Sequence, residues 1–209
     1  MEPYWSYEDI GAFFFVLVVV AAVVRLGIRT HLLGPSDLVA PSLTLQISII
    51  ISLGIALYAI LKRRRQKPVI APLGWVAPSA FYTLLAVVGG IALALGITLF
   101  TYAQHRVMPM IPTIDFLVLG LLLGPMLEES VFRGCLLPVV AHTFGNAVSI
   151  ITTAVLFAAF HSPSDVAHWV WFTTTGIGYG WLRLASKTTT ASALMHAACN
   201  LTLFLAAKF

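Results

Sequence analysis

The sequence predicts an all-α fold, a polytopic bundle of about seven transmembrane helices, and three observations support this. The 209-residue chain is 59% hydrophobic and only 10% charged, whereas an ordinary soluble domain is about 25% charged. Its mean hydropathy is +0.95, and a soluble protein of this length lacks the interior to bury so much apolar surface. Apolar runs of about 20 residues, the length that crosses a bilayer, recur along the chain. A cytosolic enzyme, a disordered chain and a nucleic-acid-binding protein are thereby excluded.

The predicted helices follow one another with mostly short loops. The second ends at the basic run 62–67, a loop with Pro109 and Pro112 separates the third from the fourth, and the fifth stops before Pro163, because the residue before a proline disfavours helix. We expect one integrated membrane domain, with residues 1–113 as an N-terminal part and 114–209 as the part that carries the unusual polar residues. The seven predicted helices are 10–28, 40–61, 76–102, 114–140, 145–161, 166–184 and 189–207.

The distribution of basic residues predicts the orientation of the chain in the membrane. The net charge is +4, and five of the twelve Lys and Arg residues fall in the run 62–67. A basic loop beside a transmembrane helix marks the cytoplasmic side, so we expect an integral, multi-pass membrane protein in the lipid bilayer, with a cytoplasmic N-terminus and no nucleic-acid partner. Arg183 and Lys187 agree with this orientation; Arg25, Arg29, Arg106 and Lys208 fall on the opposite side.

Charged residues stand in the middle of the fourth predicted helix, where each costs about 2.5–3.5 kcal/mol on insertion scales and by default indicates function. Glu129 and Arg133 are spaced i and i+4, so they share a helix face and can pair. Glu128 points about 100° away from Glu129. A carboxylate with little solvent around it suits general-base catalysis near neutral pH. The alternative is a structural Glu–Arg pair that locks neighbouring helices.

Two further sites stand on later helices. His161 closes the fifth helix, and His196 and Asn200 are spaced i and i+4 on the seventh. The last two side chains both offer N–H groups that could hold a developing negative oxygen, although an interhelical hydrogen bond is the alternative. A rise of about 1.5 Å per residue allows Glu128, His161, His196 and Asn200 to lie in one mid-membrane layer.

Several other residues are predicted to be structural. Ser130 has no base at helix spacing, so we do not expect a serine nucleophile. Cys135 and Cys199 lie in apolar stretches and are predicted core thiols. Helix packing is the expected role of two G-x-x-x-G pairs, Gly120 with Gly124 and Gly176 with Gly180. Four tryptophans are expected as interface anchors or packing residues: Trp75, Trp169, Trp171 and Trp181.

At these polar residues the sequence resembles the CPBP family, the CAAX proteases and bacteriocin-processing enzymes, also called the Abi family of intramembrane glutamate proteases. The resemblance covers about residues 114–205 and is strong because three motifs occur in the right order and spacing. The motifs are E-E-x-x-x-R at Glu128, Glu129 and Arg133, F-x-x-x-H at Phe157 and His161, and H-x-x-x-N at His196 and Asn200.

The resemblance implies an intramembrane endopeptidase whose catalytic core is the last four helices. Glu128 would activate a water, His161 would help to hold it, and His196 and Asn200 would stabilise the oxyanion. Glu129 and Arg133, with Phe157 of the second motif, would order the site. The implied partner is a peptide or protein substrate, with or without a lipid anchor, and no cofactor is expected.

Two alternatives stay open. Glu128, His161 and His196 form a plausible ligand set for catalytic zinc, although a zinc site leaves Asn200 less well explained. The chain could also be a non-catalytic scaffold or immunity protein with the same fold. A transporter is disfavoured because the sequence shows no two related halves with broken helices.

Overall fold

The computed structural model describes residues 4–29, 41–64, 71–103, 118–161 and 163–206, and every long element within these ranges is a helix. The predicted all-α class is therefore confirmed. The predicted loop with Pro109 and Pro112 lies outside the described residues. The helices are α1 (Tyr7–Arg29), α2 (Pro41–Arg64), α3 (Ala80–Ala103), α4 (119–144), α5 (Asn146–Phe160), α6 (Val166–Ser186) and α7 (Thr189–Ala206), with a 3₁₀ turn at Ala71–Leu73.

The helix ends follow local sequence. α6 begins after Asp165, whose carboxylate accepts a hydrogen bond from the backbone N–H of His168 at 3.0 Å, as an N-cap residue does. It ends at Lys187, which adopts a left-handed conformation with φ 60°. Gly145, with φ 81°, separates α4 from α5, because glycine adopts positive φ without a steric penalty. α3 begins at Ala80, later than the predicted residue 76, since residues 75–79 are not helical.

Three of the described helices are long and apolar enough to cross a membrane: Tyr7–Val24 within α1, Ala80–Ala103 and Thr189–Ala206. One face of α3 is apolar yet exposed. Contiguous exposed apolar surface of this kind is typical of contact with lipid. The exposed residues on this face are Phe81, Leu84, Val88, Ile91, Leu95 and Leu99.

The fourth helix is not the regular helix that the sequence predicts. It consists of a π-helical stretch Leu119–Leu123, an α-helical stretch Gly124–Glu129, a second π-helical stretch Ser130–Leu136 and an α-helical stretch Leu137–Phe144. Each π stretch ends two residues before a proline, Pro125 or Pro138. Proline lacks the N–H that an α-helix requires and clashes with the preceding turn, and a wider turn relieves that clash. π-helical turns are often found at functional sites.

The chain divides into two compact units. Within Trp5–Val69, α1 packs against α2. The other unit, formed chiefly by Ile70–Phe209, contains α3 to α7. The predicted division of the chain near residue 113 stays a prediction.

Two glycines allow close helix packing in the larger unit. At Gly90 of α3 a Cβ would collide with the backbone oxygen of Met195 and would lie 2.9 Å from the backbone nitrogen of Cys199, so only glycine allows α3 to approach α7 this closely. At Gly176 of α6 a Cβ would lie 2.9 Å from the Cα of Ala154 on α5. Gly124 behaves differently, since a Cβ there would lie 2.7 Å from the carbonyl oxygen of Leu119 in its own helix, which accepts the N–H of Gly124 across the π turn.

Candidate active site

The structure brings Glu128 and His161 together. Glu128 lies in the α-helical stretch Gly124–Glu129 of α4, and His161 is the residue that follows α5. Nε2 of His161 lies 3.6 Å from Oε2 of Glu128. His161 Nδ1 lies 2.8 Å from the backbone oxygen of Phe157. Because a carbonyl oxygen only accepts hydrogen bonds, Nδ1 carries the hydrogen. In the neutral ring Nε2 therefore carries a lone pair, which faces the carboxylate of Glu128.

The second glutamate meets different partners. Arg133 Nη1 donates to Glu129 Oε1 at 3.1 Å, and both side chains are completely buried. Arg133 Nη2 donates to the backbone oxygen of Gly176 at 2.9 Å, which ties α4 to α6. Glycine at position 176 lets α5 and α6 pack closely, so the Glu129–Arg133 pair is fixed where three helices meet.

Aromatic rings surround the guanidinium of Arg133. Its central carbon lies 4.7 Å from the ring centre of Phe157, 5.3 Å from that of Tyr179 and 5.7 Å from that of Phe132. Cation–π attraction is stronger where water is excluded. These rings therefore stabilise the charge of Arg133 in addition to its ion pair with Glu129.

His196 lies beside Glu129. Its Nδ1 is 3.1 Å from Glu129 Oε1, the oxygen that also accepts from Arg133. A carboxylate paired with arginine is an acceptor, so Nδ1 of His196 carries the hydrogen. The ring stacks on Tyr179, with 4.7 Å between centres and 18° between planes. Its Nε2 can donate a hydrogen bond only when the ring is doubly protonated.

Asn200 joins α7 to the first π stretch of α4. Its Nδ2 donates to the backbone oxygen of Gly120 at 2.8 Å. A side-chain amide has two N–H groups, so this contact leaves one donor for another acceptor. His196 and Asn200, which the sequence places on one helix face, thus each have a partner within the protein.

The polar side chains of the site, which we call the cluster, fall into a partly exposed pair and a buried group. The side chains of Glu128 and His161 are 14% and 23% exposed. Glu129 and Arg133 are fully buried, and His196 is 7% exposed. Water or a substrate can therefore reach the Glu128–His161 pair far more easily than the Glu129–Arg133–His196 group.

Three buried polar atoms of the cluster have no hydrogen-bond partner among the described residues: Glu128 Oε2, Glu129 Oε2 and Arg133 Nε. Buried polar groups in native proteins are nearly always satisfied, by protein or by ordered water. The two carboxylate oxygens can accept a hydrogen bond and the guanidinium can donate one, so ordered water would satisfy all three atoms.

The grouping of possible metal ligands bears on the zinc alternative. Among them, no three His, Cys, Asp or Glu side chains are grouped as ligands of one metal ion. The set considered from the sequence was Glu128, His161 and His196, but the nearest carboxylate to His196 Nδ1 belongs to Glu129.

Two aromatic residues of the site carry no signal strong enough for sequence analysis to identify them. The ring of His161 is held between Phe157, with 4.5 Å between centres, and Phe172, with 4.3 Å and 25° between planes. Tyr179 contacts Arg133 and His196 from the glycine-rich stretch 176–183. Apolar aromatic residues are ordinary in a membrane helix, so only the fold shows that these two lie at the site.

The comparison with protein families agrees with the motifs. Residues 110–202 match the family model described as Rce1-like, Type II CAAX prenyl endopeptidase Rce1-like. The matched range contains all three motifs, from Glu128 to Asn200. No curated protein and no solved structure matches the chain. The resemblance that the motifs indicate is confirmed: residues 110–202, somewhat less than half of the chain, are similar to the Rce1-like type II CAAX prenyl endopeptidase family.

Proposed function

We propose that this protein is an intramembrane endopeptidase that hydrolyses a peptide bond with water activated by Glu128. The observation that supports this most directly is the pairing of two hydrogen-bond acceptors, Glu128 Oε2 and His161 Nε2, at 3.6 Å, on side chains that are 14% and 23% exposed. Two acceptors do not attract each other; they need a donor between them.

A water molecule is the donor that fits. It has two O–H groups, and a water about 2.8 Å from each acceptor, an ordinary hydrogen-bond length, forms a triangle over the 3.6 Å base. One hydrogen then points to the carboxylate and the other to the imidazole. A general base must be within hydrogen-bond reach of the proton it removes, and Glu128 meets that requirement.

The proposed reaction balances with the groups at the site. Glu128 removes a proton as the water oxygen attacks the peptide carbonyl, and the carbonyl oxygen becomes negative. The free N–H of Asn200 stabilises that oxygen, with His196 when its ring is doubly protonated. The C–N bond then breaks, and the proton held by Glu128 passes to the leaving amine.

Glu129, Arg133 and Phe157 order the site in this proposal. Glu129 fixes the His196 ring, and Arg133 fixes Glu129. Phe157 supports both the Arg133 guanidinium and the His161 ring. Because Glu129 and Arg133 are fully buried, they act on the substrate only through these neighbours.

The substrate in this proposal is a membrane-associated peptide or protein, which the lipid bilayer brings to the enzyme. We propose a multi-pass arrangement with a cytoplasmic N-terminus, based on the basic run 62–67. Reporter fusions at the N-terminus and within this basic run should both report the cytoplasm. A periplasmic or lumenal signal from either fusion would reverse the orientation.

The Glu128→Gln variant tests the proposal. The protein is placed in lipid vesicles with two internally quenched peptides, one ending in a prenylated Cys-aliphatic-aliphatic-X sequence and the other identical but unprenylated. Cleavage should fall by about 10²–10⁴-fold, the usual contribution of a positioned general base. Glu8→Gln, a substitution in the other compact unit, should leave cleavage unchanged. Full activity of Glu128→Gln would overturn the proposal, and loss of cleavage without loss of the cellular phenotype would favour a scaffold.

A chelator separates this mechanism from the zinc alternative. Dialysis against a strong chelator should leave the cleavage rate nearly unchanged, because no metal is needed to generate the nucleophile. Strong inhibition that is reversed by added zinc would instead show a metal-activated water.

A further inference from the structure

A short loop that precedes α3 contacts two of the helices of the active site. This bracing loop, residues 73–76, begins at the last residue of the 3₁₀ turn Ala71–Leu73. It lies outside the range 110–202 that matches the family model. It belongs to the same compact unit as α4 and α7. From the sequence, its tryptophan, Trp75, was expected only as an interface anchor or packing residue.

On one side the bracing loop contacts the second π stretch of α4. Trp75 Nε1 donates to Ser130 Oγ at 2.8 Å, and Ser130 Oγ donates in turn to the backbone oxygen of Met126 at 2.7 Å. A Cβ at Gly134 would lie 2.8 Å from the carbonyl oxygen of Leu73, so the loop backbone packs directly on the helix there. Ser130 is buried and directly follows the two glutamates.

On the other side the bracing loop is bonded to the start of α7. The backbone N–H of Thr189 donates to Gly74 O at 2.8 Å, and its hydroxyl donates to Leu73 O at 2.6 Å. The hydroxyl of Thr188 donates to Val76 O at 2.6 Å. α7 carries His196 and Asn200, so one loop connects the helix of the glutamates with the helix of the last motif.

The loop conformation itself depends on this environment. Gly74 has φ 76°, and a Cβ there would lie 2.9 Å from Arg183 Nη2 and 2.9 Å from Thr189 Oγ1. Arg183 Nε also donates to Thr189 Oγ1 at 3.1 Å. The end of α6 therefore packs on the loop, and Arg183 of α6 also holds Thr189, the residue of α7 that is bonded to the loop.

We infer that Trp75 is a positioning residue for catalysis, which acts through Ser130 on the turn of α4 that carries Glu128 and Glu129. This inference rests on the proposed function. The indole N–H fixes the Ser130 hydroxyl, and the loop fixes α4 relative to α7. An error of about 1 Å in the position of a catalytic group can cost on the order of 10²-fold in rate, so one hydrogen bond at this point affects turnover.

Trp75→Phe keeps an aromatic ring and removes the N–H. With the prenylated quenched peptide as substrate, kcat should fall by about 10–100-fold, since misplacement acts on the chemical step, while KM stays within about twofold. The melting temperature should fall by only a few degrees. Trp181→Phe, a matched change at an exposed tryptophan, should leave all three quantities unchanged.

Ser130→Ala is the second variant, and it keeps the indole in place. Its kcat should fall as in Trp75→Phe, and the double variant should be no slower than the slower single variant, because both changes remove one contact. Wild-type kcat in Trp75→Phe, or in Ser130→Ala if Trp75→Phe does not fold, would overturn the inference; so would fully additive effects. Unchanged cleavage by Glu128→Gln is a different result and would overturn the proposed function instead.

Discussion

Glu128 and Glu129 are neighbours in the chain, but their carboxylates meet different partners. Glu129 is fully buried and is bonded to Arg133 and His196. The side chain of Glu128 is partly exposed, and its Oε2 faces the lone pair of His161. A carboxylate held by two cationic or N–H groups is a poor base, whereas one that faces a water is free to take a proton.

Replacement of Glu129 should therefore affect stability as well as activity. In Glu129→Gln the charge of buried Arg133 loses its carboxylate, and removal of one partner of a buried ion pair costs about 3–5 kcal/mol. We expect a clearly lower melting temperature and lower yield in detergent. Glu128→Gln, which breaks no ion pair of this kind, serves as the control and should melt close to wild type. Equal melting temperatures for the two variants would contradict this division of roles.

Loss of the Asn200 side chain should slow the reaction. Asn200→Ala removes the free N–H donor, and the loss of one oxyanion-hole donor costs about 10²–10³-fold in kcat. It also removes the hydrogen bond to Gly120 O, so the melting temperature must be measured beside kcat. A kcat within threefold of wild type would show that Asn200 only joins the two helices.

Some contacts between individual residues can be predicted from their spacing in the sequence, and others cannot. The i, i+4 spacing predicts that Glu129 and Arg133 can pair along one helix. The contact of His196 with Glu129 joins residues 67 positions apart, and it depends on the packing of α7 against α4, which spacing within one helix does not determine. Phe172 and Tyr179 are missed for the same reason.

At the scale of the helices, the sequence predicts where each helix lies in the chain better than it predicts the helix geometry. Apolar length and the prolines place the helices within a few residues of the observed ends, but α4 alternates between α and π turns. Pro125 and Pro138 are the visible cause of the irregularity. A proline in a helical pattern predicts a kink or break as readily as a π turn, so the sequence alone does not distinguish these outcomes.

The close approach of α3 to α7 yields a prediction with an internal control. Gly90→Ala would place a methyl group against the backbone of Met195 and Cys199, and overpacking of this kind costs about 1–3 kcal/mol. Gly96→Ala on the same helix has no atom within 4 Å of the added Cβ and should be tolerated. Thermal melts in detergent compare the two, and equal melting temperatures would contradict the observed packing.

At the scale of the whole molecule, the family match and the compact unit differ in extent. The match covers residues 110–202, whereas the larger unit begins near Ile70 and includes the bracing loop and α3. α3 packs extensively on α7. The part of the chain before the motifs, which the motifs alone leave without a role, therefore contributes to the fold around the site.

Truncated chains test how much of the sequence before the motifs the active site requires. A chain that begins at Ile70 should accumulate in membranes and cleave the quenched peptide, because it keeps α3 to α7 and the bracing loop, which form nearly all of the larger unit. A chain that begins at Ile114 lacks α3 and the bracing loop, so it should be degraded or inactive. Equal activity of the two truncated chains would show that α3 is dispensable.

If Glu128 and His161 hold the attacking water between them, a density map of the protein embedded in lipid, at a resolution that shows ordered waters, should reveal it. We expect one water within about 3 Å of both Glu128 Oε2 and His161 Nε2, the distance of a hydrogen bond. A metal ion about 2.0–2.2 Å from these atoms, the usual zinc distance, or a Glu128 side chain turned away from His161, would contradict it.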